Sequence, residues 1–277
     1  METRSFKRTA IHNLRITASR SEVPGIAEGL VLPAPILELS DIVPFEQIIV
    51  TKMGANHLMN RMNTFVMAGP PGEVEARGAL AHFLKEGDLI CIITRAHIND
   101  AELHSYLAGE VPLFDVGFVP HEDHRNQLAR ATLILERPKT REKQSSSADR
   151  LLQDARSVRS AQFSRVVLST LCVGLKVTET SDDCLQGSAE IPGDIMDVAR
   201  LVRYQSVSVY NASRGGVAET YVIPMPPGVV MTTGAMASFA PRGDVANIAT
   251  YAMTKVLPRK PQILRIADNS PQRAEML

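Results

Sequence analysis

Apolar and polar positions along this chain alternate over short runs instead of recurring at helical spacing. Leu14-Arg15-Ile16-Thr17-Ala18 alternates as a half-buried strand does. Further strands are expected at 30–32, 48–51, 64–67 and 89–93, where β-branched and other apolar residues concentrate. Val23-Pro24-Gly25 and Gly69-Pro70-Pro71-Gly72 read as turns between them. Residues 35–39 suggest one short helix, and 78–84 a helical turn or two. The stretch 138–160, with Lys-Thr-Arg-Glu-Lys-Gln-Ser-Ser-Ser near its start, reads as a solvated linker, with a short helix expected at 151–158.

Beyond that linker the pattern returns. Leu175-Lys176-Val177-Thr178 echoes Leu14-Arg15-Ile16-Thr17, and Asp194 to Leu201 echoes the first helix. Thr220-Tyr221-Val222-Ile223 follows Thr64-Phe65-Val66-Met67, Gly234-Ala235-Met236-Ala237 follows Gly78-Ala79-Leu80-Ala81, and Gly243-Asp244 follows Gly87-Asp88, all at one spacing of 156 residues. Three separate motifs in one register indicate an internal duplication. The expected organisation is a mainly β chain with a first unit at 1–137, the linker at 138–160, a second unit at 161–257 and a loose tail at 258–277, where three prolines mix with charges.

Composition narrows the chemistry. The 277 residues carry 30 basic and 30 acidic side chains, so net charge draws the chain neither to nucleic acid nor to a membrane. The three cysteines, Cys91, Cys172 and Cys184, have no C-x-x-C spacing and suggest neither a disulfide framework nor a zinc knuckle. The start, Met-Glu-Thr-Arg-Ser-Phe-Lys-Arg, lacks the apolar core of a signal peptide, and no apolar run reaches membrane-spanning length. A cytoplasmic enzyme or binding protein is the expectation. His121-Glu122-Asp123-His124 reads as a solvated loop, because no helix puts both histidines on one face, and no metal site is expected. Ser213-Arg214-Gly215-Gly216 reads as a hairpin turn, Arg77 as an exposed turn residue, and Cys184 as a packing residue.

One dipeptide carries chemistry of its own. In Gly187-Ser188 a hydroxyl stands beside the carbonyl of a glycine, which tolerates strained backbone. Attack by that hydroxyl turns the amide into an ester, and elimination and hydrolysis then leave a pyruvoyl group. Most Gly-Ser pairs are ordinary turns, so the dipeptide alone does not decide the matter.

Taken as an ordered set, Ile11-His12-Asn13-Leu14-Arg15-Ile16-Thr17, Arg61-Met62-Asn63-Thr64-Phe65, Gly78-Ala79-Leu80-Ala81-His82, Val116-Gly117-Phe118-Val119 and Asn126 resemble the pyruvoyl-dependent aspartate 1-decarboxylase family. Gly187-Ser188, Thr220-Tyr221 and Gly234-Ala235-Met236-Ala237 carry the same resemblance in the second unit. It implies two tandem double-psi β-barrels and decarboxylation of aspartate or a related acidic amino acid, through a Schiff base to a pyruvoyl group made from Ser188. It also implies a site shared between neighbouring units. The family assembles as a tetramer of single units, so a fused pair would form a homodimer. In the roles the resemblance implies, Gly187 and Ser188 are the cleavage pair, Thr220 serves the oxyanion during cleavage, and Tyr221 returns a proton. Arg61 binds the substrate carboxylate, and Thr233, Gly234 and Ala235 line the pocket.

The first unit has Ala27-Glu28-Gly29-Leu30 at the cleavage position, with no hydroxyl, yet keeps Arg61; the second keeps Ser188 and has Val217 where the arginine would be. Each unit retains the half that the other lacks. The family's lysine falls at Ala10 and Leu171, and its asparagine at Arg77 and Thr233, which leaves the identity of the substrate open. The alternative is an uncleaved double barrel that binds a small acid or catalyses a reaction needing no ketone.

Overall fold

The computed structural model describes residues 2–23, 26–54, 61–103, 111–120, 126–137, 140–145, 163–182, 187–257, 260–271 and 275–276. The expected helix at 151–158, the His121–His124 run and Cys184 lie outside them. The architecture is two tandem, mainly β units. In the first, the strands are β1 (Thr3–Arg15), β2 (Ala18–Arg20), β3 (Gly29–Pro33), β4 (Gln47–Lys52), β5 (Arg61–Gly69), β6 (Glu75–Arg77), β7 (Leu89–Asn99), β8 (Val111–Pro120), β9 (Asn126–Arg137) and β10 (Thr140–Ser145). In the second they are β11 (Arg165–Lys176), β12 (Glu179–Ser181), β13 (Ala189–Pro192), β14 (Ser206–Asn211), β15 (Val217–Met225), β16 (Met231–Thr233), β17 (Val245–Thr254), β18 (Gln262–Ala267), β19 (Ser270–Pro271) and β20 (Glu275–Met276). Short helices α1 (Ala34–Leu39) and α2 (Ala79–Phe83) in the first unit match α3 (Gly193–Ala199) and α4 (Ala235–Phe239) in the second.

The duplication is visible in the ladders. β1 runs antiparallel to β7 and parallel to β8, as β11 runs antiparallel to β17 and parallel to β18. Thr9 faces Thr94 as Thr170 faces Thr250, and both long strands slip register twice, around Lys7/Thr9 and Ile11/Leu14 in one and around Leu168/Thr170 and Cys172/Leu175 in the other. At the second slip Asn13 and Gly174 both adopt positive φ. Bulges of this kind bend a long strand so that it serves both sides of a closed sheet. Each unit has its own core, with Leu14, Ile48 and Ile92 in the first and Leu175, Val209 and Ile248 in the second.

Two boundary expectations need correction. Within the expected loose tail, residues 262–267 form β18, which pairs with β11, and its Ile263 and Leu264 are buried. Ile263 packs into the cluster between the units and Leu264 into the second unit's core, which outweighs the flanking prolines, and the strand is the second unit's counterpart of β8. Asn269 secures it, its side chain bonding both Lys176 N–H (2.9 Å) and Lys176 C=O (2.8 Å), as Asn126 does for Arg15 (2.7 and 3.0 Å). Within the expected linker, residues 140–145 form β10, paired antiparallel to β9.

The two units pack face to face through a third cluster. Phe65, Val31 and Ile26 of the first meet Leu168, Leu171 and Tyr210 of the second. Beside it lies a buried quartet of balanced charge: Arg8 and Arg165, from equivalent strands, both reach Asp41 and Glu46. The ring of Phe163 lies under both guanidiniums, 5.5 and 4.9 Å from its centroid. Buried charges are tolerated only when paired in this way.

Candidate active site

Gly187 and Ser188 lead into β13. Gly187 holds φ at 73°, and a Cβ there would come within 2.9 Å of Met236 N and of the Thr233 carbonyl oxygen, so glycine is required. β15 runs parallel to β13 and brings Thr220 to the pair, where its hydroxyl donates to the Gly187 carbonyl oxygen at 2.9 Å. β16 brings Thr233. Its Oγ1 accepts from Ser188 N–H at 2.9 Å and lies 2.8 Å from Ser188 Oγ, and its own N–H donates to Ser188 C=O at 3.1 Å. Ser188, Thr220 and Thr233 are all buried. Gly234 opens α4 at φ 50° and ψ −128°, and Ala235 N lies 3.1 Å from where a Gly187 side chain would start.

Glu190 was not singled out from the sequence. The Ser188 hydroxyl donates to its Oε1 at 3.0 Å. The signal was available: in extended chain residues i and i+2 share a side, so a carboxylate two positions after the serine faces it.

Tyr221 follows Thr220 and therefore points to the opposite side of β15, where it is 56% exposed. Arg61 is not with the serine in its own chain. It lines an open cavity of about 240 Å³ on the first unit, with Lys7, Thr51, Ile93 and Arg95. Ala10 and Leu171, at the lysine positions, are buried apolar residues. Arg77, expected on an exposed turn, ends β6 and is partly buried, its guanidinium on the carboxylate of Glu75 at 2.6 Å. Ser213-Arg214-Gly215-Gly216 is the turn joining β14 to β15, with Asn211 Oδ1 accepting from the N–H groups of Ser213 and Arg214 at 3.0 Å. Among the described residues no cluster of His, Cys, Asp or Glu is placed to hold a metal ion.

The first unit shows the same site without its serine. Leu30 pairs with Val66 as Ala189 pairs with Val222, so Gly29 stands at the place of Ser188 and Glu28 at that of Gly187. The Glu28 carboxylate accepts from Ala79 N–H and from Asn247 Nδ2 of the second unit, each at 3.0 Å. Its burial pushes the carboxyl up to about 7 against those hydrogen bonds. Tyr210 and Tyr251, hydroxyls 2.6 Å apart, belong to the same buried region, and burial raises both phenols. Val217, at the arginine position, packs against the first unit's core. Thus the strand face of the second unit covers the serine-free site of the first.

The family model for aspartate decarboxylase matches residues 2–115 and 165–270, once for each unit. An aspartate 1-decarboxylase of Methylibium petroleiphilum is 33% identical over 107 residues, 37% of this chain and 88% of that protein. That of Hydrogenobaculum is 29% identical over 103 residues, 37% of this chain and 78% of the relative. That of Alcanivorax borkumensis is 31% identical over 90 residues, 31% of this chain and 71% of the relative.

Proposed function

Since the chain belongs to the aspartate decarboxylase family, with two copies of the family's unit in one polypeptide, we propose that it is a cytoplasmic, self-processing decarboxylase of aspartate or a closely related acidic amino acid. Its pyruvoyl group would come from Ser188. The observation that carries this reading is the Thr220 hydroxyl on the Gly187 carbonyl oxygen at 2.9 Å, with the Ser188 hydroxyl alongside. A donor on that oxygen draws charge away from the carbonyl carbon and stabilises the oxyanion that attack would create. The positive φ of Gly187 and the lack of room for a side chain suit a bond built to be broken. The pyruvoyl ketone supplies an electrophile for the substrate amine and a sink for the electrons that carbon dioxide leaves behind.

The chain's own residues complete the site across an interface. If a second chain's first unit covers Ser188 as the second unit covers Glu28, its Arg61 takes the place of Val217. The guanidinium fork then binds the substrate carboxylate that remains after decarboxylation. Tyr221 would be enclosed at the same time, because its counterpart Phe65 is already fully buried under the second unit. Val202 and Tyr204 beside it, 67% and 60% exposed, are the counterparts of Val43 and Phe45 and form the apolar patch such a partner would cover. The assembly is then a homodimer with two working and two serine-free sites. Tyr221, enclosed by that partner, would be the phenol that returns the proton to the carbon that lost carbon dioxide.

Denaturing mass spectrometry of the purified chain tests the reading. The expected result is fragments 1–187 and 188–277, the second lacking a free amine, with Ser188→Ala remaining whole and inactive. A wild-type chain still intact after prolonged warming would leave the uncleaved, acid-binding alternative. Complementation tests the shared site. Ser188→Ala chains co-expressed with Arg61→Ala chains should form heterodimers with one complete site and activity above either parent. No gain, in a protein whose wild type is active, would overturn the shared geometry.

A further inference from the structure

The contact between Ser188 and Glu190 points to a role for a residue so far without one. We propose, resting on the self-processing reading above, that Glu190 is the general base of the cleavage between Gly187 and Ser188, with Thr233 relaying a proton to the leaving nitrogen. The hydrogen bonds form a directed chain. Ser188 Oγ donates to Glu190 Oε1 at 3.0 Å, so the carboxylate is placed to take the proton that must leave as the oxygen attacks. The Gly187 carbonyl oxygen accepts from Thr220 at 2.9 Å, on the side where negative charge develops. Thr233 Oγ1 lies 2.8 Å from Ser188 Oγ and 2.9 Å from Ser188 N, and so touches both the atom that loses a proton and the atom that must gain one.

The step balances without any added reagent. Ser188 Oγ bonds to the Gly187 carbonyl carbon while its proton passes to Glu190. The Gly187–Ser188 C–N bond then breaks. The Thr233 hydroxyl gives its proton to Ser188 N and is reprotonated as Glu190 gives up the one it took, so the proton lost from Ser188 Oγ is matched by the one gained at Ser188 N. The product is an ester between Gly187 and the serine oxygen, with a free amine at residue 188, an isomer of the starting amide. The chain's departure from the family at Thr233 acquires a purpose here, because a hydroxyl oxygen can give up one proton and take another at the same atom, whereas an amide donates and accepts at two different atoms. The first unit has neither half of this chain: Gly29 has no hydroxyl, and Arg77 stands at the place of Thr233.

The test follows cleavage and not decarboxylation. Freshly made full-length chains are sampled by denaturing mass spectrometry, with hydroxylamine added to a parallel series to capture ester as a hydroxamate on Gly187. Glu190→Gln is expected to slow the appearance of both products about a hundredfold or more, the range for loss of a positioned base. Glu190→Asp should cleave at an intermediate rate. Glu190→Ala should be slow and should speed up with added formate, a response that a purely structural role would not give. Circular dichroism and thermal unfolding confirm that each variant is folded before its rate is read. Glu190→Gln cleaving within about threefold of wild type, or formate leaving a folded Glu190→Ala unchanged, would overturn the assignment of Glu190. A wild-type chain that never cleaves removes the self-processing reading itself, so the two failures are distinguishable.

Discussion

Arg61 and Val217 occupy equivalent places in the two units, and the difference between them states how the molecule divides its labour. Val217 faces a serine-free site already closed within the chain, where it packs against the apolar core of the first unit. Arg61 faces an open cavity that also holds Lys7 and Arg95. Arg61→Ala is therefore expected to leave cleavage at Gly187-Ser188 near normal and to lower kcat/KM on an acidic amino acid by about 3 kcal/mol. Arg61→Lys should restore only part of this, since the bidentate fork is lost. Steady-state kinetics on fully cleaved protein make the comparison, and full activity in Arg61→Ala would show that the arginine does not bind substrate. At this scale much was legible. Gly187-Ser188, Thr220 and Thr233 are all named by the sequence motifs, and they meet in space. Glu190 was passed over because a glutamate in a strand has no motif, and only its distance from the hydroxyl distinguishes it.

Among the elements, β18 departs furthest from the sequence reading. Its Leu264 packs into the second barrel's core and its Ile263 into the cluster between the units, yet prolines on both sides hid the strand. Asn269 ties its end to Lys176 and to Gly228 C=O (3.1 Å) from a left-handed conformation, φ 52°, which asparagine accepts more readily than most residues. Asn269→Ala removes three hydrogen bonds and leaves Lys176 N–H without its partner. It is expected to destabilise the second unit by about 2 to 3 kcal/mol. Urea unfolding should show this as a lower midpoint, and an unchanged midpoint would mean that β18 is held by its apolar residues alone.

Over the whole molecule, the interface between the units makes stability depend on pH. Glu28 ionises near its ordinary 4.5 when unfolded and at about 7 when buried against Asn247 and the two tyrosines. A raised carboxyl favours the folded state fully below pH 4.5, and this contribution is lost as pH climbs through 7. The loss amounts to about 3 kcal/mol across that window, at 1.36 kcal/mol for each pKa unit. Glu28→Gln should flatten the profile between pH 4.5 and 7 and raise stability above it, measured by thermal unfolding at a series of pH values. A wild-type profile unchanged in slope by Glu28→Gln would place the pH dependence elsewhere.

What the sequence determined by itself was the period-two patterning of the strands, the duplication and the residue types of the cleavage pair. All three depend on local order along the chain: alternation selects strands, a constant spacing marks a repeat, and a hydroxyl next to a glycine is a covalent fact. Only the tertiary structure decided which face of each unit is covered. β7 and β17 occupy the same place in their barrels, but Ile93 and Arg95 on the first border an open cavity, while Ala249 on the second is fully buried against the other unit. Contacts across 219 residues, such as Asn247 to Glu28, depend on how two finished barrels meet, and no local pattern encodes that.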